Sequence, residues 1–177
     1  MEIRKGSGIR VAAFDPYEYL SNYSHSLIVD GVSFGDMLEV RKVLELGFIG
    51  KAVRFCDAGT LEELQTLVAE MERALREGNS TLLPGLRIHQ TIYRCLGNKL
   101  LDAYLEAFGE LWRRLWGPIH AAVAREGLLQ DIEHHRRLIR ALSQHDTAAA
   151  RAALEEEFAF GAALVERAPK LEQVDIA

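Results

Sequence analysis

Residues 33–55, SFGDMLEVRKVLELGFIGKAVRF, decide the fold class of this chain. Ser33 is a typical helix N-cap, and apolar side chains then recur at helical spacing up to about Phe55. The recurring apolar residues are Leu38, Val40, Val43, Leu44, Phe48, Ile49 and Val53. The pattern predicts a long amphipathic helix that presents one face to a core.

The sequence predicts further helices almost to the end of the chain. A capping box of Thr60 and Glu63 predicts the start of a second helix, which ends near Glu77. Further helices are predicted over 83–96, 98–116, 119–125 and 128–143, with a break or kink at Gly117-Pro118 and a break at Gly127. Asp146 is predicted to cap the last helix, which reaches about residue 166. Short connections favour antiparallel neighbours, so the sequence predicts an all-α, antiparallel bundle of six to seven helices.

The first residues follow a different pattern. Residues 3–11 alternate apolar and polar side chains around Gly6-Ser7-Gly8, which is typical of a short β-hairpin. After Asp15-Pro16, residues 17–28 predict a separate helix that ends before Asp30-Gly31.

Composition excludes several classes of protein. The net charge of −5 argues against a chain that binds nucleic acid through its overall field, although it leaves room for a local basic patch. Cys56 and Cys95 are too few for a disulfide framework or a metal knuckle. The N-terminus lacks a signal-peptide core, and no apolar run approaches the ~20 residues of a membrane span. We therefore expect a soluble, cytoplasmic protein with reduced thiols.

Three polar residues lie on apolar helix faces, where an unpaired polar group costs a few kcal/mol. His89, His135 and Glu157 each have leucine, isoleucine or aromatic neighbours three, four or seven positions away. His134, by contrast, lies three residues from Asp131 and Arg137 and is predicted to be solvated. Two imidazoles and a carboxylate can bind Zn²⁺, Ni²⁺ or Mn²⁺ if their helices face one another. The alternative is a set of hydrogen-bonded core residues without a metal.

Arg41 is the fourth inward-facing polar residue, between Leu38 and Leu44. A buried arginine needs an anionic partner. That partner is either Glu45 or Glu157 in an internal ion pair, or the carboxylate of a ligand held by two hydrogen bonds.

Two weaker candidates lie at the fourth helix. Asn98 is explained sufficiently as its N-cap, and Arg113 falls on the same side of that helix as Asn98, with Arg114 facing nearly opposite. No nucleophile–base arrangement, phosphate-binding glycine loop or His-Glu-x-x-His motif is present. We therefore do not predict an enzyme.

The ordered motifs resemble a known domain. Leu38-Glu39-Val40-Arg41-x-x-Leu44-Glu45, the pair Ile88-His89, and Leu96-Gly97-Asn98 are similar to the FCD domain, the C-terminal effector domain of FadR-group GntR transcription regulators. Residues 133–142, EHHRRLIRAL, resemble its His-x-x-Ile-x-x-Ala-Leu segment, and Asp146 with Ala150 and Leu154 resembles its closing helix.

The resemblance implies a homodimer with a buried pocket for a small organic acid, and in many members a metal held by one Asp and three His. The second, third and fourth ligand positions are His89, His135 and Glu157, while the first is Gly85. One ligand is thus lost and one His is a Glu, which leaves a two-His, one-Glu site completed by water or ligand oxygens. Arg41 matches the arginine that the family turns toward its acid, and Asn98 and Arg113 are carried over to the pocket wall.

The resemblance also covers the N-terminus. Arg4, Lys5, Gly6, Ser7 and Gly8 are similar to the DNA-contacting wing of a winged helix-turn-helix, without the recognition helix. The chain is therefore expected to be a fragment or a natural truncation. Operator DNA is expected to be a partner only of a full-length form that carries the helix-turn-helix. The predicted parts are the wing at 1–14, a linker helix at 15–32, the ligand-binding and dimerisation domain at 33–168, and a tail at 169–177.

Two other functions remain open from the sequence. A metal-dependent enzyme would use the two-His, one-Glu site inside a helical bundle. A structural dimerisation module without ligand would agree with the loss of Asp at position 85.

Overall fold

The computed structural model describes residues 2–3, 9–10, 17, 33–121 and 123–167. Two short strands, β1 (Glu2–Ile3) and β2 (Ile9–Arg10), pair antiparallel with Glu2 opposite Arg10. The predicted wing residues 4–8, nearly all of the predicted linker helix, residue 168 and the predicted tail at 169–177 lie outside the described residues.

The predicted all-α class is confirmed. The helices are α1 (Phe34–Phe55), α2 (Ala58–Glu77), α3 (Leu82–Arg94), α4 (Lys99–Ala121), α5 (Arg125–Ser143) and α6 (Thr147–Arg167). None of these described helices is long and apolar enough to cross a membrane.

Local capping chemistry sets most of the helix ends. Ser33 and Asp36 form a reciprocal capping box at the start of α1, and Asp146 Oδ1 accepts a hydrogen bond from the Ala149 amide at the start of α6. The predicted start of α2 at Thr60 is wrong, because Asp57 caps the helix and accepts from the Thr60 amide. Gly78 ends α2 with a φ of 75°, a left-handed conformation that favours glycine.

Gly117-Pro118 does not break the helix, and the predicted separate helix over 119–125 is wrong. Helix α4 continues through both residues to Ala121. A proline inside a helix removes one backbone hydrogen bond, at about 3 kcal/mol, and burial of Leu111, Trp112 and His120 on either side offsets that loss.

Gly127 is likewise not a breaker, because it lies in the first turn of α5. A Cβ atom at position 127 would be 2.8 Å from Val123 Cγ1, so close packing favours glycine there.

The helices pack in a closed order around one core. Helix α6 packs between α1 and α5, α2 packs on α3 and α5, and α3 packs on α4. The fully buried residues include Ile49, Leu64, Met71, Ile88, Leu138 and Leu154, which come from five of these helices. This arrangement points the inner faces of α1, α3, α5 and α6 at one another.

Candidate metal and ligand site

Four helices deliver charged or polar side chains to one place in the core. Helix α1 contributes Arg41 and Glu45, one turn apart on its inner face. Helix α3 contributes His89, α5 contributes His135 and α6 contributes Glu157. All five are buried or nearly so, and Glu45 is 0% exposed. The structure therefore brings together the three predicted metal ligands and the predicted acid-binding arginine.

These residues form a continuous chain of hydrogen bonds. Arg41 Nε donates to Glu45 Oε1 over 2.6 Å, and His89 Nδ1 donates to Glu45 Oε2 over 2.7 Å. His89 Nε2 donates to Glu157 Oε1, also over 2.7 Å. Because both nitrogens of His89 face carboxylates, the ring is held as an imidazolium.

The charges of these hydrogen-bonded residues compensate one another. Burial and the Arg41 charge act to lower the pKa of His89, but Glu45 and Glu157 outweigh them and raise it to about 9. Burial alone would raise the pKa of Glu45, and the cations His89 and Arg41 instead hold it below its usual range. Burial alone would also raise the pKa of Glu157, but the nearby His135 and His89 rings lower it below its usual range.

His135 is oriented by its own helix. Its Nδ1 donates to the carbonyl oxygen of Asp131 over 2.8 Å, and this contact fixes the orientation of the ring. That Nε2 lies 3.5 Å from Glu157 Oε1. Among the described residues, neither His135 Nε2 nor Glu157 Oε2 has a hydrogen-bond partner. Two buried polar atoms in one small space are therefore without a hydrogen-bond partner, which is unfavourable unless a cation or another polar group occupies that space.

The residues present fit a first-row divalent metal. One ligand atom each from His89, His135 and Glu157 lies within 4.8 Å of the others, and two imidazoles with a carboxylate are a donor set such ions accept. Glu45 on His89 Nδ1 and the Asp131 carbonyl on His135 Nδ1 are the outer partners that orient metal-ligating histidines. A metal would take the position of the proton on His89 Nε2.

Gly85, where the resemblance led us to expect an aspartate, lies against this cluster. A Cβ atom on Gly85 would be 3.7 Å from His135 Nε2 and 3.5 Å from Met71 Cε, both ordinary contact distances. The backbone thus brings position 85 to the ligand atoms, but the residue there supplies no oxygen from a side chain.

A cavity opens beside the cluster. Part of its wall is apolar and aromatic, and the residues of that kind are Leu38, Leu82, Leu86, Trp112, Phe158, Phe160 and Leu164. Arg41, His89, His135 and Glu157 line it as well. A cavity that combines an apolar wall with convergent polar groups is the usual form of a small-molecule site.

Arg41 lies between its carboxylate partner and three aromatic rings. Its Cζ atom is 5.2 Å from the Phe108 ring centre, 5.3 Å from that of Trp112 and 5.6 Å from that of Phe158. Of the two sequence interpretations of Arg41, the internal pair with Glu45 is present, and the guanidinium also borders the cavity.

The other two candidates lie elsewhere. Asn98 is exposed, and its side-chain oxygen accepts from the amides of Leu100 and Leu101, which is the capping role that the sequence allowed. The side chain of Arg113 is 47% exposed and pairs with Glu110. Neither residue is among those that line the cavity.

Sequence reasoning missed a second polar corner of the cavity, formed by Thr81, His120 and Asp131. Thr81 Oγ1 lies 3.0 Å from His120 Nε2. Burial lowers the pKa of His120 and raises that of Asp131. The expected helix break before His120 concealed its inward position. The inward position of Asp131 could have been predicted, because it lies one turn before His135 on the same face of α5.

The expectation that His134 is solvated is wrong. His134 is 8% exposed, and its ring centre lies 5.3 Å from that of Phe160 on α6. Helix α5 packs against both α6 and α2, so it buries a wider face than one apolar stripe indicates.

Comparison with known proteins gives one family and two similar folds. The family model described as the FCD domain matches residues 36–160. Among solved structures, E. coli McbR/YncC matches with a TM-score of 0.60 and 24% identity over 76% of this chain and 66% of that one. Streptococcus agalactiae GntR matches with a TM-score of 0.58 and 22% identity over 90% and 72%. The chain thus spans less than two thirds of the McbR/YncC chain, and these likenesses concern the fold. The curated proteins gave no match.

Proposed function

The chain belongs to the FCD domain family, and from this premise we propose that it is the effector-sensing, dimerising domain of a FadR-group GntR transcription regulator. Its effector is a small organic acid bound in the cavity that α1, α3, α4, α5 and α6 line. The observation that carries the proposal is the pair of buried polar atoms without a partner among the described residues, His135 Nε2 and Glu157 Oε2, on residues that line that cavity.

His89, His135 and Glu157 are the residues that would hold a divalent metal such as Zn²⁺, Ni²⁺ or Mn²⁺. When bound, the ion supplies positive charge that attracts the oxygens of an acid. Glu45 holds the His89 ring in place through Nδ1, and the Asp131 carbonyl does the same for His135. Loss of the proton from His89 Nε2 makes that nitrogen available as a ligand atom.

Arg41 is the residue proposed to bind the carboxylate of the effector. Its Nε is used by Glu45, and its two terminal NH₂ groups can still form the parallel hydrogen bonds that a carboxylate accepts. Leu38, Trp112 and Phe158 line the cavity with Arg41 and exclude water from this contact, which strengthens it. The apolar wall selects the rest of the acid by shape.

Regulation follows if the acid prefers one of two arrangements of the bundle. Contacts from α1 and α6 to one ligand would couple the packing of these helices to the dimer and to the N-terminal segment. Binding of operator DNA is proposed for a form of the protein that carries a helix-turn-helix. We propose a soluble, cytoplasmic protein in accordance with this role.

Calorimetry with chelator-treated protein tests whether the site binds a divalent metal. We expect Zn²⁺, Ni²⁺ or Mn²⁺ to bind at one site per chain and His135→Gln to abolish that binding. His145→Gln is the matched control, because His145 lies in the turn before α6 and donates to Val53 O outside the cavity. Equal loss in both variants would contradict the site.

Calorimetry with a panel of small organic acids then tests whether the cavity binds an acid and whether Arg41 holds its carboxylate. Arg41→Lys keeps the charge but loses the planar pair of donors, so we expect acid binding to fall at least about tenfold while metal binding persists. Unchanged acid affinity in Arg41→Lys would overturn the role of this residue.

A structural dimerisation module is the second candidate, and the Arg41–Glu45 pair favours it because the chain already neutralises its own arginine. In that case neither metals nor acids would give heat or raise the melting temperature.

A further inference from the structure

The outer face of α1 carries apolar side chains that nothing in the described chain covers. Val43 is 66% exposed and Val40 is 49% exposed, in the middle of the helix. A Cβ atom on Gly47, one turn after Val43, would meet no atom within 4 Å. Two valines beside a small residue form a shallow apolar step on the surface, of the kind that lets another helix approach closely.

The two ends of the same face carry opposite charges. Asp36 and Glu39 are exposed in the N-terminal half, and Lys51 and Arg54 are exposed in the C-terminal half. Within the described residues none of the four has an oppositely charged side chain within ion-pair distance: Asp36 accepts from Ser33, while Lys51 and Arg54 lie over the Phe48 and Phe55 rings. A separation of charge along one helix face is complementary to a copy of that face running the other way.

The positions have a symmetry that fits such a copy. Asp36 and Arg54 lie equally far from position 45 along the chain, as do Glu39 and Lys51, and Val43 and Gly47. At about 100° per residue all six fall within about 60° of the direction opposite the buried Glu45. In a twofold-symmetric antiparallel pair of helices centred at this level, each residue faces its counterpart from the other half of the list.

We propose that α1 is the homodimer interface and packs antiparallel against α1 of a second copy. Val43 packs over Gly47 of the partner subunit. Asp36 faces Arg54 of the partner subunit, and Glu39 faces Lys51 of the partner subunit. The self-complementary order of apolar, small and charged residues selects a second copy rather than an unrelated protein. The inference rests on the dimerising part of the proposed function alone. It also puts the interface on the reverse side of the helix that holds Arg41 and Glu45.

Sedimentation equilibrium of the whole chain without ligand tests the apolar centre. Val43→Glu buries one charge on each side of the twofold axis, so the dimer dissociation constant should rise more than about 30-fold. Leu129→Glu on α5, where the wild-type leucine is 51% exposed, is the matched control and should leave it within about twofold. A chain that is monomeric at about 100 µM, or a dimer weakened by Leu129→Glu and not by Val43→Glu, overturns the proposal.

Charge exchange tests the register. Glu39→Lys and Lys51→Glu should each raise the dissociation constant about tenfold at low salt, since each puts like charges opposite one another twice. The combined variant should restore it to near the wild-type value, and Glu62→Lys on α2 should have no effect. Additive loss in the combined variant overturns the antiparallel register. Circular dichroism confirms folding. Metal binding by Val43→Glu, measured by calorimetry, distinguishes failure of the interface from failure of the effector site.

Discussion

Two regions of the core are equally buried but are built from opposite chemistry. Where α2 packs on α3 and α5, its inner face consists of Leu64, Leu67 and Met71, each at most 1% exposed. Where α1 and α6 face α3 and α5, Glu45 is just as buried and bonds to Arg41 and His89. Helices α3 and α5 contribute to both regions, so one pair of helices separates an apolar half from a polar half.

The difference shows where the sequence serves stability and where it serves binding. Apolar packing tolerates exchange of similar volumes, and each side chain acts nearly alone. The polar half depends on all members at once, because each charge is compensated by the next along the hydrogen-bonded chain. A buried ionic network is weak evidence for stability, which supports a role in recognition for this half.

Glu45→Ala should have the largest effect on stability. It leaves Arg41 and His89 buried without their shared carboxylate, and breaking a buried pair in this way costs about 3–5 kcal/mol. Urea unfolding followed by circular dichroism measures the loss, and Glu45→Gln, which keeps the volume, separates charge from packing. A change below about 1 kcal/mol in both variants would mean that the polar half is not a coupled network.

Leu64→Ala in the apolar half should cost about 2–5 kcal/mol through lost burial and a residual cavity. Leu64 is 0% exposed. Calorimetry sharpens the comparison, because this variant should keep the metal affinity of the wild type while Glu45→Ala should reduce it. A parallel loss of metal affinity in Leu64→Ala would show that the two halves are not independent.

Periodicity and capping predicted most of the fold but not all helix boundaries. Ser33, Gly78 and Asp146 act locally, so their effects can be read from a few neighbouring residues. Gly117-Pro118 and Gly127 were misjudged because tertiary packing outweighs local preference there: the first is carried by burial on both sides, and the second by the close approach of Val123.

The sequence predicted which three residues meet in the candidate site, but not the full set of residues that line it. His89, His135 and Glu157 were identifiable because each interrupts an apolar stripe of its own helix. Thr81 and His120 meet through a 3.0 Å contact between residues 39 positions apart, and no local pattern encodes that meeting. His134 faces α6 through a second face of α5, which a single stripe does not reveal.

Gly85→Asp should change the polar half by adding a ligand rather than removing one. The space around position 85 accommodates a side chain, and its carboxylate would reach the ligand cluster from α3, one turn before His89. Metal affinity should rise about tenfold or more, which corresponds to about 1.4 kcal/mol or more. Gly85→Ala is the matched control, since it adds only the helix preference of about 0.5–1 kcal/mol to stability. An equal metal affinity in both variants would place the ion away from position 85.

His120→Gln should have the smallest effect and should show it as a dependence on pH. Burial lowers the pKa of His120 below its ordinary value of 6.5. Below pH 6.5 the unfolded chain therefore binds a proton that the folded chain resists, and the stability present above that pH is lost as the pH falls toward the folded pKa. Glutamine can still bond to Thr81 but does not titrate, so the melting temperature of His120→Gln should fall less than that of the wild type between pH 7 and pH 5. At pH 8, where both forms are neutral, the variants should differ by no more than about 1 kcal/mol, the value of one hydrogen bond. Parallel curves across this range would mean that His120 titrates as it does in the unfolded chain, and the polar corner would then be open to water rather than part of the buried half.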